Sequence, residues 1–284
     1  MTRLSGSTVL ITGAASGIGR GIAHVAATRG AQVVLWDISS VGLDRVASEL
    51  EANGVVPMCA VVDVGESAAV TAAADQVLAQ VGSVDIVINN AGVVSGKALV
   101  DLSSSEIERT FRVNALSNFW TTKAFLPSMI RRNRGHVVTI ASAAGLVGVS
   151  KLADYSASKH AAVGFDESLR VEMAQRAPGI RTTVVCPYYV NTGMFDGVRS
   201  RFEFLLPIVS EDHLIDKIVR AIERDRTRLY VPWIVRFLAP LRILPTSVYD
   251  AIMDTLGVNV SMEEFVGRNG AGDSAPDSRS TSQQ

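Results

Sequence analysis

Tyr155 and Lys159 stand four positions apart in the stretch Tyr155-Ser156-Ala157-Ser158-Lys159. On a helix that spacing puts both side chains on one face, one above the other. A phenol titrates near pH ~10 in water, too high for easy proton exchange at neutral pH. An ammonium beside it favours the phenolate and brings the phenol toward working pH. Such a pair can pass a proton to or from a substrate oxygen. Many solvated helices carry the same pair, so its meaning depends on what the rest of the chain sets beside it.

Residues 7–12 form a short apolar, β-branched run with the length of a buried strand. Gly13-Ala14-Ala15-Ser16-Gly17-Ile18-Gly19 follows, and then an apolar helix over residues 20–29. Strand, glycine-rich turn and helix make a pyrophosphate site: the glycines let the backbone approach, and the first helical N–H groups face the anion. A second buried strand over 32–36 ends at Asp37. An acidic residue about 20 positions past the glycine turn can accept both ribose hydroxyls of an adenosine. The same carboxylate repels a 2′-phosphate, and no Arg or Lys lies in the turn or directly after Asp37. The pattern favours NAD over NADP. Without the turn, Asp37 would read as a cap for a helix starting near Ser39 or Ser40.

The alternation continues with a helix over 42–53, a strand over 55–62 running into Asp63-Val64, and a helix over 66–81. A strand over 85–88 runs into Asn89-Asn90-Ala91-Gly92, followed by one helix over 105–129 that contains Asn114. An Asn inside a helix marks a bend, a buried polar contact or a surface position. The strand over 135–141 ends at Ser142, the helix bearing Tyr155 and Lys159 continues to 176, and a strand over 180–186 ends at Pro187. Strands alternating with helices of these lengths predict an α/β domain with a doubly wound parallel sheet. Ligands bind beyond the carboxyl ends of such strands. The glycine turn, Asp37, Asp63 and Asn90 all fall at that edge.

With 284 residues, 48% hydrophobic, the chain can bury the core of one large domain. A net charge of −1 offers no field to recruit nucleic acid. Cys59 and Cys186 lack a CxxC partner and the four histidines lack ligand spacing, so neither a disulfide framework nor a metal site is expected. The first residues carry no secretory signal pattern, and no apolar run reaches the roughly 20 residues of a membrane span. A cytoplasmic location is expected.

Thr12-Gly13-x-x-x-Gly17-Ile18-Gly19, Asn89-Asn90-Ala91-Gly92, Asn114, Ser142 and Tyr155-x-x-x-Lys159, in this order, resemble the short-chain dehydrogenase/reductase family with its Rossmann fold. The resemblance spans residues 4–230 and implies specific roles. Tyr155 would be the general acid/base, Lys159 would lower its pKa and hold the nicotinamide ribose, Ser142 would polarise the substrate oxygen, and Asn114 would keep a water in a proton relay. Gly13, Ser16, Gly17, Ile18 and Gly19 would cradle the pyrophosphate. Asp63 and Val64 would contact adenine, with Asn90, Ala91 and Gly92 along the adenosine side. Pro187, Val190 and Thr192 would hold the nicotinamide. One departure is Tyr188, which stands where the family usually has glycine after that proline. Residues 191–195, Leu229-Tyr230-Val231-Pro232 and residues 256–267 resemble the subgroup of retinol and 17β-hydroxysteroid dehydrogenases. The resemblance implies a homodimer or homotetramer.

These readings divide the chain into a Rossmann domain over 1–232 with a substrate lid over about 188–212, an extension over 233–267 packed on the domain or at an interface, and a disordered tail over 268–284. Phe202, Phe204, Leu205 and Leu206 make the lid greasy, which fits an apolar alcohol or ketone substrate or ordinary packing of a short helix. From 217 to 242 the chain carries seven basic residues against two acidic ones, and residues 231–244 are mostly apolar. That segment reads as a peripheral lipid contact or as a subunit interface. The expected activity is NAD-dependent interconversion of an alcohol and a carbonyl; the alternative is a non-catalytic NAD-binding sensor or scaffold on the same fold.

Overall fold

The structure, a computed structural model, describes residues 1–198, 204, 206–258, 261–263, 265 and 267. Among them are the strands β1 (Thr8–Thr12), β2 (Gln32–Asp37), β3 (Met58–Val61), β4 (Ile86–Asn89), β5 (Gly135–Ile140), β6 (Ile180–Pro187) and β7 (Arg228–Val231). They form one sheet in the order β3-β2-β1-β4-β5-β6-β7, every pair parallel. The order reverses between β1 and β4, which opens a crevice at their carboxyl ends. The expected doubly wound α/β domain is the observed fold.

Side chains alternate across each strand, and this alternation builds two cores. Val9, Ile11, Val33, Leu35, Ile86 and Ile88 face one side. There they meet helices α1 (Gly17–Thr28), α2 (Ser40–Glu51) and α7 (Glu211–Glu223). Leu10, Val34, Trp36 and Val87 face the other side. They pack on α3 (Ser67–Val81), α5 (Ser117–Arg132) and α6 (Ala153–Arg176). Each fully buried side chain of this kind contributes about 1.5–3 kcal/mol, so neither face can turn outward without losing the fold.

The helix expected over 105–129 is divided. It consists of α4 (Ser104–Phe111), a π-helical turn over Arg112–Leu116, and α5. The wide turn places the buried Asn114 against the loop after β4. The expected strand over 55–62 shrinks to Met58–Val61, an edge strand with Cys59 and Val61 exposed.

Past β7 the chain forms a 3₁₀ turn over Trp233–Phe237, the short α8 (Leu238–Leu241) and α9 (Thr246–Thr255). No helix among the described residues is long and apolar enough to cross a membrane. In the expected lid, Leu206 is buried whereas Phe204 is 84% exposed. Phe202, Leu205 and the expected tail over 268–284 lie outside the described residues.

Phe125 is fully buried and its ring centroid lies 5.8 Å from that of Trp36, across the α5–sheet contact. Phe125→Ala is expected to lower unfolding free energy by about 3–5 kcal/mol, measured by urea denaturation.

Candidate active site

The crevice between β1 and β4 begins at the glycine turn. Gly13 and Gly17 have φ of 65° and 52°, the left-handed region that glycine enters without a Cβ penalty. A Cβ at Gly19 would overlap the Gly13 carbonyl, so the absence of a side chain lets α1 start directly on the turn. Asn90 ties the two sides of the crevice together: its Nδ2 donates to the carbonyls of Thr12 at 2.9 Å and Gly13 at 3.1 Å. Thr12 Oγ1 accepts from the backbone N–H groups of Asn90 at 3.0 Å and Ala91 at 3.1 Å. The first turn of α1 carries no acidic residue, and the Ser16 hydroxyl does not cap it. That end of the helix suits an anion.

Asp37 closes β2 on the same edge. Its Oδ2 accepts from Ala15 N and its Oδ1 from Ser39 N, both at 2.9 Å. The cap of α2 is Ser39, whose Oγ accepts from Gly42 N at 3.1 Å. Asp37 is thus oriented by the glycine turn rather than spent as the helix cap, and each oxygen retains a lone pair for a ribose hydroxyl. Asp63 is fixed similarly, its Oδ1 accepting from Gly65 N at 2.8 Å. Arg45 was not expected here: from α2 it donates to the Ala15 carbonyl at 3.1 Å. Its position eight residues past Asp37 gave no sequence signal, because only the packing of α2 returns it to the turn.

The cleft has a volume of about 570 Å³. Every residue predicted for the site lines it except Gly19 and Asn114. Gly19 lies beneath the turn, and Asn114 lies behind the loop after β4. Asn114 Oδ1 accepts from Val93 N at 2.8 Å, and its Nδ2 donates to Val93 O at 2.9 Å and Ser158 Oγ at 3.0 Å. Its backbone carbonyl accepts from Asn118 Nδ2 at 3.0 Å. The Asn114 amide is therefore committed to holding a loop and the helix of Tyr155. Glu108 and Arg109 of α4 and Arg112 of the π turn also line the cleft, a contribution hidden in the sequence because the π turn sets which face of α4 looks inward.

Tyr155, Ser142 and Lys159 converge at the inner end. Ser142 leaves β5 at the start of a 3₁₀ turn, where its Oγ accepts from Ala144 N at 3.1 Å. Lys159 is buried and donates from Nζ to the Ile140 carbonyl at 2.8 Å, 5.7 Å from the centre of the Tyr155 ring. Burial pushes the lysine down to about 8. The expectation of a lowered tyrosine pKa is corrected: burial holds the Tyr155 phenol above its ordinary value, with a Ser142 hydrogen bond acting in the opposite direction. The ammonium at this distance bonds to a carbonyl, not to the phenol, so desolvation dominates.

Beyond Tyr155 and Ser142 lies a second, apolar pocket of about 30 Å³. Its walls include Ala144, Val147, Leu152, Tyr188, Phe195 and Leu238. Tyr155 and Ser142 border both spaces. A cleft sized for a nucleotide and an apolar pocket thus meet at one hydroxyl pair.

A family profile described as "short chain dehydrogenase" matches residues 7–202. The chain belongs to the short-chain dehydrogenase/reductase family. This reductase-family chain is 43% identical to human epidermal retinol dehydrogenase 2 over 93% of its own length and 86% of that protein. It is 41% identical to estradiol 17-beta-dehydrogenase 11 of Pongo abelii, over 85% and 80% of the two chains. Among solved structures, a short-chain dehydrogenase/reductase from Burkholderia phymatum in complex with NAD superposes with a TM-score of 0.79 at 27% identity, covering 87% of this chain and 96% of that one. A metagenomic short-chain oxidoreductase in complex with NADP gives 0.68 at 30% identity over 81% and 96%. The resemblance to the retinol and steroid dehydrogenase subgroup, read from residues 191–195 and the C-terminal segment, agrees with these relatives.

Lys159 also bears on stability. A lysine whose folded pKa is depressed binds its proton more weakly in the folded chain than in the unfolded one. The resulting cost is complete below about 8 and fades as pH rises toward the ordinary value of 10.5. Lys159→Met is expected to unfold at higher urea concentration than the wild type at pH 7, with the gap narrowing at pH 10.

Proposed function

We propose that this chain is an NAD-dependent dehydrogenase that interconverts an alcohol and a carbonyl on an apolar substrate. The observation that carries the reading is the meeting of the Ser142 and Tyr155 hydroxyls where the nucleotide-sized cleft opens on the apolar pocket. The names of the relatives, retinol and estradiol dehydrogenases, support a greasy alcohol. Asp37, with no cation of the glycine turn beside it in sequence, supports NAD over NADP.

The cleft residues fit a dinucleotide. Gly13, Ser16, Gly17 and Ile18 would hold the diphosphate, with Gly19 beneath; Asp37 would take the adenosine ribose, Asp63 and Val64 the adenine, and Asn90, Ala91 and Gly92 would form the floor. Pro187, Val190 and Thr192 would hold the nicotinamide end. The bound nicotinamide supplies hydride acceptance and donation. Ser142 donates a hydrogen bond to the substrate oxygen and orients it. Tyr155 moves the proton on that oxygen: it donates to a carbonyl oxygen in reduction and accepts from a hydroxyl in oxidation. The buried phenol is protonated at neutral pH in the unliganded chain, so reduction starts from the resting form and oxidation requires prior loss of that proton. Lys159 contributes its positive charge near the phenol and would hold the nicotinamide ribose. Asn114 positions the Val93 loop and the Tyr155 helix.

The domain over 1–232 carries this chemistry, with the lid over about 188–212, the extension over 233–267 against it, and a homodimer or homotetramer as the assembly. The alternative, an NAD-binding sensor or scaffold, needs the cleft but not Tyr155. Tyr155→Phe separates the two. Turnover of apolar alcohols is expected to fall by about 10²–10⁴-fold or more while NAD affinity, measured by calorimetry, stays level. Wild-type chain that binds NAD and oxidises no alcohol or retinoid supports the sensor instead. Asp37→Ala is expected to raise the relative use of NADP, read from kcat/KM with the two dinucleotides.

For a cytoplasmic chain, a peripheral lipid contact is supported by the outer face of the C-terminal extension. Trp233 is 63% and Ile243 88% exposed. The Arg236 guanidinium lies 5.3 Å from the Trp233 ring and 4.7 Å from the Phe237 ring. An aromatic and cationic face of this kind suits anionic lipid headgroups. Trp233→Ser with Phe237→Ser is expected to weaken sedimentation with phosphatidylserine vesicles; unchanged sedimentation with a smaller oligomer identifies the face as a subunit interface.

A further inference from the structure

We infer that Asp154, one residue before Tyr155, is a positioning residue for the proton transfer: it fastens the first turn of α6 to two other walls of the dinucleotide cleft and so fixes where the Tyr155 hydroxyl stands. Its kinetic consequence rests on the dehydrogenase reading; its geometry does not. Asp154 is 4% exposed and lies in the first turn of α6. The helix dipole favours a carboxylate there, and the N–H groups of that turn need acceptors. Asp154 does not serve them. Both of its oxygens accept from hydroxyls of other segments.

Thr110 Oγ1, buried on α4, donates to Asp154 Oδ2 at 2.8 Å. Ser95 Oγ, in the loop after β4, lies 3.0 Å from both carboxylate oxygens and shares its one proton between them. Each of these segments also lines the cleft: α4 through Ser105, Glu108 and Arg109, the loop through Gly92 and Val93, and α6 through Tyr155 and Lys159. Three walls of the cleft therefore meet at one buried carboxylate. A second link joins the loop to α4, the surface pair of Lys97 and Glu106, but it leaves α6 out. Exposed pairs of that kind hold little. A buried carboxylate loses much more when a hydroxyl leaves it, because no water replaces the bond.

Neighbouring residues on a helix point about 100° apart. Asp154 faces α4 and the loop, while Tyr155 faces the cleft and the apolar pocket. Any slide or rotation of the first turn that moved the Tyr155 hydroxyl would have to break the bonds of Asp154. Ser142 follows β5 and does not travel with α6, so the spacing of the two hydroxyls depends on how α6 is held. Ser158 Oγ bonds to the Tyr155 carbonyl from the same helix and moves with it. Asn114 holds Ser158 from the π turn. At the tyrosine itself, the tie to α4 and the loop is Asp154. An error of about 1 Å in the placement of a reacting group costs about 10²-fold in rate.

The test uses the full-length chain and compares kcat and KM for octanol oxidation in four variants, each alone and combined with Tyr155→Phe. Asp154→Ala is expected to lower kcat by about 10²-fold, with octanol KM and NAD affinity level. Asp154→Asn, whose amide nitrogen cannot accept, and Thr110→Val are expected to lower kcat by less. Thr110→Ser keeps the hydroxyl and is expected to keep the wild-type kcat. With Tyr155→Phe none of the four is expected to lower the residual rate further, because residues that act as a unit are not additive. Losses of equal size with and without the Tyr155 hydroxyl, or a Thr110→Ser chain as slow as Thr110→Val, overturn the inference. If Asp154→Ala does not fold, Asp154→Asn and the two Thr110 variants decide. A wild type that oxidises no alcohol removes the dehydrogenase reading, and hydrogen exchange then tests the tie alone. Peptides covering residues 153–159 are expected to exchange faster in Thr110→Val than in the wild type and Thr110→Ser; equal exchange in all three overturns the inference.

Discussion

An ammonium held away from water governs the design of this site. Lys159 is buried, and the carbonyl of Ile140 receives its Nζ at 2.8 Å. A desolvated charge is expensive, and the cost is visible in the depressed lysine pKa. The sheet makes the arrangement possible. β5 stops at Ile140, so the carbonyl that meets Lys159 belongs to the last residue of a fully buried strand. The next two residues lead to Ser142. One strand end therefore supplies both the anchor of the cation and the hydroxyl facing Tyr155.

The same economy extends to the neighbouring loop. Asn114 sits in the π turn between α4 and α5 and clamps Val93 by both backbone groups. Its third bond goes to Ser158 Oγ, which donates to the Tyr155 carbonyl at 2.7 Å. Asp154, one residue before the tyrosine, is buried and accepts from Ser95 at 3.0 Å and Thr110 at 2.8 Å. The loop after β4, α4 and the start of α6 are thus cross-tied by polar groups that all have partners, which fixes orientation where apolar packing alone would allow sliding.

Much of this was legible in the residues. Alternating apolar runs mark the parallel sheet, because strands buried on both faces leave no polar period. The glycine turn, Asp37 and Asn90 each sit at a strand end, where the topology itself assigns a ligand edge. The π turn was not legible, since a widened helical turn depends on what the helix packs against; a continuous helix over 105–129 fits the same pattern. The phenol's pKa was misjudged because spacing reports that Tyr155 and Lys159 share a face but not how deeply both are buried. Arg45, the α4 side chains and the contact between Asp154 and Thr110 depend on tertiary packing between segments remote in sequence, and no local period announces them.

If Tyr155 is the group that moves the substrate proton, oxidation of an alcohol must depend on pH below the raised pKa of the phenol, and reduction of the matching ketone must not. The direct measurement is kcat/KM for both directions across pH 6 to 10, with Tyr155→Phe alongside. Oxidation is expected to climb with pH, reduction to stay level because the buried phenol keeps its proton over this range, and the residual activity of Tyr155→Phe to lose the climb in oxidation. Profiles of the same shape in both directions, or a climb that survives in Tyr155→Phe, would contradict that role for Tyr155.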